Sequence, residues 1–304
     1  MNSIDEWNCY WKNPVQSDAL FTDANGKAIS DFVVFWDTLL GNRENEQNVL
    51  DIACGSGALF NSVSNLSQSH LAGLDCSEHA LKLFSQRFPK ARTIINTSLE
   101  LPHKVVEAFD LLVSQFGVEY LGVNTIGRLP SQLKQGAEFV GLCHYKGGHI
   151  ESRYALERKA ITLLSELNAV QEAKEIVDRL FSRDDLSTDS SADNLKNNFF
   201  KTLEAHKEHW NAGTLHFVQG IYQLLTHYKQ YNKTDILAWI EGMADQLEVA
   251  RQRVTAICDV ALSEQDIGEI IRLSNCKPSD WVARPFHMAN SKLPVAWELR
   301  YKKV

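Results

Sequence analysis

Two glycines and a carboxylate near the start of the chain have the types and spacing of a nucleoside-binding site. Gly55 and Gly57 follow the apolar run Val49–Ala53, and the apolar run Leu71–Asp75 ends in an acidic residue. Glycines at a turn let a ligand approach the backbone where a Cβ would block it, and the helix expected beyond the turn offers unpaired N–H groups. The Asp75 carboxylate can accept hydrogen bonds from both hydroxyls of a ribose. The pattern therefore predicts that a nucleoside binds across this turn.

The residues around the turn discriminate among nucleoside ligands. A dinucleotide site requires a third glycine, but Phe60 stands at that position, and no Gly-Lys-Ser/Thr follows for a nucleoside triphosphate. Asp51, which precedes the turn, would repel a pyrophosphate. The same carboxylate suits the positive ammonium and sulfonium groups of S-adenosylmethionine, so the sequence favours this ligand.

These segments resemble the motifs of class I S-adenosylmethionine-dependent methyltransferases. Asp51-Ile52-Ala53-Cys54-Gly55-Ser56-Gly57 is similar to their first motif, acid-x-x-x-Gly-x-Gly. Leu74-Asp75-Cys76-Ser77 is similar to the second, in which the ribose acid is followed by a residue against the adenine. The resemblance covers about residues 45–145 and 280–303.

Three further segments carry the resemblance. Ser98–Pro102 stands where the family has its adenine-flanking turn, and Phe109–Ser114 resembles the fourth strand, whose end meets the methionyl part of the cofactor. Val295–Tyr301 resembles the reversed last strand. Two departures are visible. Asn96 and Thr97 stand where many members have an acid before the adenine-flanking turn. Ser114-Gln115-Phe116-Gly117 replaces Asn/Asp-Pro-Pro-Tyr, which argues against methylation of an exocyclic base amine.

The resemblance implies a cofactor site built from strand ends and an N-terminal aromatic pair. Its predicted residues are Asp51, Ala53, Cys54, Gly55, Gly57, Asp75, Cys76, Ser98, Leu99, Ser114, Gln115, Tyr10 and Trp11. Tyr10 and Trp11 are interpreted as a lid, because an aromatic face attracts a sulfonium by about 0.5–2 kcal/mol. The alternative is that they pack on the sheet as a hydrophobic staple.

The acceptor is expected beyond the carboxyl ends of the fourth and fifth strands. The residues there are Gln115, Phe116, Glu119, Tyr120, His144, Tyr145 and His149. His144 or His149 is the candidate general base, because an imidazole titrates near neutral pH. In the alternative, His144 caps a strand and His149 is a solvated loop residue, since methyl transfer can rest on alignment of the reactants alone.

Composition bounds the compartment and the partners. The formal net charge of −7 disfavours a nucleic-acid partner, although a local basic patch can lie within an acidic total. The N-terminus lacks a secretory pattern, and no apolar stretch reaches the ~18 residues of a membrane span. Six scattered cysteines without a CxxC pair predict neither a disulfide framework nor a metal site and favour a reducing cytoplasm. His206 and His209 lie three apart, but they are interpreted as a solvated helix face.

The order of elements predicts a Rossmann-like α/β fold. Apolar runs alternate with helical patterns up to residue 150, which indicates a parallel sheet covered by helices on both faces. Residues 151–275 have helical periodicity, and two strands follow in residues 276–304. We therefore predict a cofactor-binding core over 1–150, a helical insertion over 151–275 that covers the methyl-donor site, and a mostly parallel seven-stranded sheet completed by a reversed last strand. Within the insertion, Ser182–Asn198 is polar and predicted to be a mobile joint.

Three functions fit these features. The leading hypothesis is a methyltransferase whose insertion roofs a small-molecule acceptor. The second is a methyltransferase for a protein or RNA that docks on the insertion, and the third is a non-catalytic cofactor binder. Because one fold hosts many functions, the fold does not separate them. The sequence makes no prediction of the oligomeric state.

Overall fold

The computed structural model describes residues 4–12, 30–41, 47–64, 66, 70–182, 190–289 and 291–304. Its strands are β1 (Val49–Ile52), β2 (Leu71–Asp75), β3 (Arg92–Ile95), β4 (Leu111–Gln115), β5 (Glu138–His144), β6 (Trp281–Phe286) and β7 (Ala296–Lys302). They form one sheet in the order β3-β2-β1-β4-β5-β7-β6. The first five strands are parallel, and β7 runs antiparallel to β5 and β6. The predicted seven-stranded, mostly parallel sheet with a reversed last strand is confirmed.

Helices connect the strands and extend the chain after β5. They are α1 (Ile4–Trp11), α2 (Ser30–Leu40), α3 (Ala58–Asn61), α4 (Glu78–Arg87), α5 (His103–Val106), α6 (Val123–Gln132), α7 (His149–Glu166), α8 (Ala169–Phe181), α9 (Ser191–Ala205), α10 (Ala212–Thr226), α11 (Lys233–Val260) and α12 (Glu264–Leu273). Within the described residues, no helix has the length and apolarity needed to cross a membrane.

The central strands are apolar on both faces because helices cover both. Leu50 and Leu112 are fully buried in neighbouring strands, and Ile126 of α6 and Ile270 of α12 belong to the same core. Each such side chain contributes about 1.5–3 kcal/mol when it leaves water. The core therefore holds the carboxyl ends of β1, β2, β4 and β5 in a rigid row.

Phe60 occupies the position of the third glycine of a dinucleotide site and packs among other aromatic side chains. Its ring lies in α3 and packs on Phe84 and Phe88, at centroid distances of 6.2 and 6.1 Å. Ser77 caps α4 by accepting a hydrogen bond from the Ala80 N–H at 3.2 Å. The α3 and α4 helices thus pack through aromatic side chains instead of through the close backbone approach that a glycine permits.

The chain divides into two compact units. Unit 1 consists of residues 1–152 and 257–304, and unit 2 consists of residues 153–256. Unit 2 has its own apolar core, whose fully buried members include Ile176, Val177, Phe217, Ile221, Ile236 and Ile240. The helix α12, which the sequence pattern places in the insertion, belongs to unit 1 and its core.

The prediction of a mobile joint over Ser182–Asn198 is wrong for its second half. The α9 helix begins at Ser191, and Ala192, Phe199 and Leu203 bury one of its faces. Residues 183–189 lie outside the described residues. Polar composition concealed the helix because three well-spaced apolar residues are sufficient to anchor one face.

Candidate active site

The glycine turn after β1 has a left-handed backbone at three positions. Ala53 has φ 55°, Gly55 φ 53° and Gly57 φ 82°. The Cys54 N–H donates to the Leu74 carbonyl at 3.0 Å, and the Gly57 N–H donates to the Cys54 carbonyl at 2.9 Å. Ala53 adopts this conformation without the freedom of a glycine, at a cost of about 1–3 kcal/mol. Such strain is typical of a functional turn.

Asp75 ties the turn to the end of β2. Its Oδ2 accepts from the Gly55 N–H at 2.8 Å and its Oδ1 from the Ser77 N–H at 2.9 Å. Burial raises the pKa of Asp75, and these two backbone donors partly oppose the shift. The backbone and the thiol of Cys76 also hydrogen-bond to this carboxyl group. Asp75 therefore joins the glycine turn to the residues that follow β2.

Two buried carboxyl groups lie beneath the turn. Asp51 is only 2% exposed, and burial followed by the charge of Asp75 holds its pKa well above the ordinary value. The same two causes raise the pKa of the Cys54 thiol well above its usual range and that of Cys76 to about 11. Both thiols therefore stay neutral at pH 7. This environment favours a bound cation, because a positive charge within a few ångströms stabilises the ionised carboxylates.

Asn96 shapes the turn after β3, which the sequence predicts to flank an adenine. Its Nδ2 donates to the carbonyls of Ser98 at 2.9 Å and Glu100 at 3.3 Å. The Ser98 hydroxyl accepts from the Glu100 N–H at 3.1 Å, and the Leu99 side chain is exposed. The bonds of Nδ2 determine the orientation of the amide, so Oδ1 of Asn96 is the atom available as an acceptor.

The two predicted site residues of β4, Ser114 and Gln115, form hydrogen bonds with neighbouring elements of the protein. Ser114 Oγ donates to the Ile52 carbonyl at 2.8 Å and accepts from the Val118 N–H at 2.9 Å. Gln115 Oε1 accepts from the Trp36 indole N–H of α2. These contacts join β4 to β1 and to α2, so the two side chains hold the strand ends in place.

The α1 helix lies across these strand ends. The Trp11 ring covers Gly55 so closely that a Cβ built on Gly55 would lie 2.5 Å from Cζ2 of the indole. Tyr10 contacts Trp11 edge-on at 5.1 Å. The Ser77 hydroxyl donates to Asn8 Oδ1 at 2.7 Å, so α1 is also anchored at the end of β2. The predicted aromatic pair thus lies at the glycine turn.

The two predicted histidines occupy different environments. His144 is buried at the end of β5, where its Nδ1 lies 2.6 Å from Oε1 of Glu119. His149 is exposed at the start of α7, and its backbone N–H donates to the Pro294 carbonyl at 2.8 Å. The Glu119 partnership could not be seen in the sequence, since the partners lie 25 residues apart, with Glu119 in the 3-10 turn Val118–Leu121 and His144 at the end of β5.

Among the side chains that the structure describes, no group of three or more His, Cys, Asp or Glu residues is placed to hold a metal ion. His206 and His209 lie at the end of α9 and in the 3-10 turn Lys207–His209, with their rings 5.9 Å apart.

Comparisons with known proteins find one matching family model and several structures with similar segments. Residues 49–136 match the family model of a methyltransferase domain. The chain is similar to the YcgJ protein from Bacillus subtilis, at 19% identity over 42% of this chain and 58% of that one, with a TM-score of 0.32. It is also similar to a geranyl diphosphate C-methyltransferase from Streptomyces coelicolor A3(2), at 14% identity over 47% of this chain and 65% of that one, with a TM-score of 0.35. The aligned part spans less than two thirds of either structure. No curated protein matches the chain.

The family match begins at the first residue of β1 and includes β2, β3 and β4. It therefore contains the glycine turn, Asp75 and Asn96. The sheet around it has five parallel strands and a reversed seventh strand. Residues 49–136 therefore match a methyltransferase-domain model over the first four strands of a Rossmann-like sheet.

Proposed function

We propose that the chain binds S-adenosylmethionine at the glycine turn and transfers its methyl group to a small-molecule acceptor. One observation carries the proposal: Asp51 and Asp75 lie buried at adjacent strand ends, and no described side chain forms an ion pair with either. A ligand with two positive groups would supply the missing charge. A pyrophosphate would add to the repulsion.

The residues present fit the cofactor. Asp75 would accept the ribose hydroxyls, Oδ1 of Asn96 the adenine amino group, and Asp51 would face the cationic part. Gly55 and Gly57 have the left-handed backbone that glycine adopts most readily, and a Cβ would meet the Trp11 ring at Gly55 and the Phe84 and Phe88 rings at Gly57. When bound, S-adenosylmethionine supplies an electrophilic methyl group on a sulfonium.

Trp11 would complete this site from the α1 side. Its ring already lies against Gly55, where an aromatic face would attract the sulfonium. The lid interpretation of Tyr10 and Trp11 therefore remains our proposal, and packing as a hydrophobic staple is its rival.

Two observations support a small molecule as the methyl acceptor. The net charge of −7 disfavours RNA as the acceptor, and the helical unit 2 is long for a connection between strands, which is typical of a functional insertion. We propose that unit 2 supplies acceptor specificity. The cytoplasm is the proposed location, because all six cysteines are free thiols.

Labelled methyl groups test the proposal. The full chain is incubated with cell extract and S-adenosylmethionine carrying an isotopically labelled methyl group, and the extract is then fractionated. Label in small molecules is expected. Label in protein or RNA would instead support a methyltransferase whose protein or RNA acceptor docks on the helical insertion. Calorimetric binding of the cofactor without any labelled product would favour a non-catalytic binder, and an absence of binding would contradict the proposal as a whole.

A further inference from the structure

A histidine and a glutamate lie together at the end of β5, apart from the residues proposed to hold the cofactor. Glu119 Oε1 accepts from the His144 backbone N–H at 2.9 Å and contacts Nδ1 of the same residue at 2.6 Å. Their side chains are 0% and 3% exposed. Removing a carboxylate from water is costly unless it is paired and hydrogen-bonded. The fold therefore maintains this pair against a real penalty.

The carboxylate determines which ring nitrogen of His144 carries a proton. An ionised carboxylate accepts hydrogen bonds and cannot donate them, so the contact places a proton on Nδ1. Nε2 is then the nitrogen that takes up a proton from another group. The negative charge of Glu119 would stabilise the imidazolium that results, which is the role of the carboxylate in hydrolase triads.

Two aromatic rings and a thiol surround the pair. The imidazole centroid lies 4.6 Å from that of Phe116 and 6.4 Å from that of Tyr120. Cys143 faces Glu119 from β5, where burial and then the charge of Glu119 hold the pKa of the thiol well above its usual range. Cys143 is therefore a neutral neighbour that does not compete for the proton at pH 7.

The pair lies where an acceptor is expected. His144 ends β5, and Phe116 follows the adjacent strand β4, with its N–H donating to the Leu142 carbonyl at 2.7 Å. In open α/β sheets the ligand binds beyond such carboxyl ends. Phe116 has φ 53°, a left-handed conformation that bulky residues rarely adopt and that concentrates at functional sites.

Helix α1 would control access to the pair. Trp7 packs edge-on against Tyr120 at 5.1 Å, and Tyr120 in turn lies against His144. Nε2 of His144 is itself buried, so an acceptor would reach it only after a neighbouring group moves. The same helix that covers Gly55 through Trp11 therefore also covers the acceptor side.

We propose that Glu119 is the positioning residue of a general base, His144, and that the methyl acceptor is an oxygen or nitrogen group that carries a proton. This inference rests on the proposed methyltransferase function. The acceptor atom forms the bond to the methyl carbon, while the S–C bond breaks and its electron pair remains on sulfur. Nε2 of His144 takes the proton of the acceptor and later releases it to water. Thioether acceptors, which have no proton to lose, would not need this pair.

The first test uses the unliganded full chain and does not depend on activity. Protein labelled with 15N-histidine is titrated by NMR, and His144→Gln assigns the relevant signals. We expect His144 as the Nδ1–H tautomer, and its ring signals should titrate at lower pH in Glu119→Gln, because glutamine keeps the acceptor oxygen but removes the charge.

An exposed pair provides the matched control. Glu107 lies 3.3 Å from His103 in a solvent-exposed pair, so Glu107→Gln should leave the His144 signals unchanged. An Nε2–H tautomer of His144, or a titration insensitive to Glu119→Gln, would overturn the inference and leave Glu119 as a strand cap.

The second test identifies the acceptor atom. The chain is supplied with 13C-methyl S-adenosylmethionine and the small-molecule fraction of an extract, and the methyl chemical shift of the product is read. An O–CH3 or N–CH3 signal is expected, and a C–CH3 or S–CH3 signal would contradict the proposal. His144→Gln should lower the rate by about 10²–10⁴-fold, and Glu119→Gln should move the acidic limb of the pH–rate profile to lower pH.

Measurements of cofactor binding distinguish a failure of the proposed methyltransferase function from a failure of the inference that His144 is a general base. Calorimetry should give equal S-adenosylmethionine affinity for wild type and His144→Gln. If wild type does not bind the cofactor, the proposed function fails. If wild type binds it and transfers methyl groups while His144→Gln does so at the same rate, only the inference about the base fails.

Discussion

At the scale of single residues, the charge of Asp51 depends on what lies beside it. Burial and the neighbouring Asp75 hold its pKa well above the ordinary carboxyl value, so the unliganded fold keeps a proton that the unfolded chain releases. Asp51 therefore lowers the free energy of unfolding as the pH rises from about 3.9 through its raised pKa. A cation at the glycine turn would favour the ionised form and reverse this effect.

We expect S-adenosylmethionine binding to release a proton from Asp51. At any pH between the lowered pKa of the complex and the raised pKa of the unliganded protein, binding ionises the carboxyl, so affinity should increase with pH across that window. Calorimetry in two buffers of different ionisation enthalpy measures the released proton. S-adenosylhomocysteine, which lacks the sulfonium charge, should release less. Equal heats in both buffers, or release that persists in Asp51→Asn, would contradict this prediction.

Asp75→Ala should weaken cofactor binding roughly ten- to a hundredfold, because a charged acceptor of hydroxyls contributes ~1.5–3 kcal/mol. The structure adds an effect on stability. The buried N–H groups of Gly55 and Ser77 would lose their acceptor, each at a cost of about 1–3 kcal/mol.

Asp75→Asn separates the two effects, since its amide oxygen can still accept one of these bonds. Urea unfolding should place its free energy of unfolding between wild type and Asp75→Ala, while calorimetry finds weakened binding in both variants. An unchanged dissociation constant in Asp75→Ala would show that this carboxylate does not hold the ribose.

At the scale of secondary-structure elements, substitutions in helix α1 can test whether this helix contributes to cofactor binding. Trp11→Ala should weaken S-adenosylmethionine binding by about 2- to 30-fold, the equivalent of a cation–π contact of ~0.5–2 kcal/mol. S-adenosylhomocysteine should lose less, because it carries no sulfonium charge. Calorimetry with both ligands measures the difference.

Trp7→Ala is the control within the same helix, since Trp7 packs edge-on against Tyr10 and Tyr120, whereas Trp11 is the ring that lies against Gly55. It should leave the ratio of the two affinities unchanged. If Trp11→Ala lowers the free energy of unfolding and weakens both ligands equally, the aromatic pair is a hydrophobic staple and the lid interpretation is wrong.

At the scale of the whole molecule, the residues proposed to hold the cofactor all belong to unit 1, which has its own core. The ends of that unit meet, since the Cys258 thiol lies 3.9 Å from the Glu151 carbonyl. A short Gly/Ser linker in place of Arg153–Ala256 should therefore leave a folded chain that binds S-adenosylmethionine within about threefold of wild type.

The same shortened chain should no longer transfer methyl groups to the acceptor, because we assign acceptor specificity to unit 2. Circular dichroism and calorimetry check folding and binding, and the labelled-methyl assay checks transfer. Asp75→Ala in the shortened chain serves as the binding control. Retained transfer at the wild-type rate would remove unit 2 from the acceptor site.

Local sequence patterns were sufficient to predict the sheet and the glycine turn of this protein. The alternation of apolar runs with helical segments predicted the sheet and its reversed strand, because strands covered on both faces are apolar throughout. Gly55, Gly57 and Asp75 marked the turn because only particular residue types tolerate its backbone and its ligand. Such signals are short-range and do not depend on distant partners.

Other features exist only in the tertiary structure. The pairing of Glu119 with His144 joins the 3-10 turn Val118–Leu121 to the end of β5, and the packing of Trp11 on Gly55 joins the N-terminal helix to the glycine turn. Ser114, predicted at the cofactor, donates its hydroxyl proton to one backbone carbonyl and accepts a hydrogen bond from one backbone N–H. The sequence does not specify these contacts, because a side chain's partner depends on which strand ends the sheet order brings together.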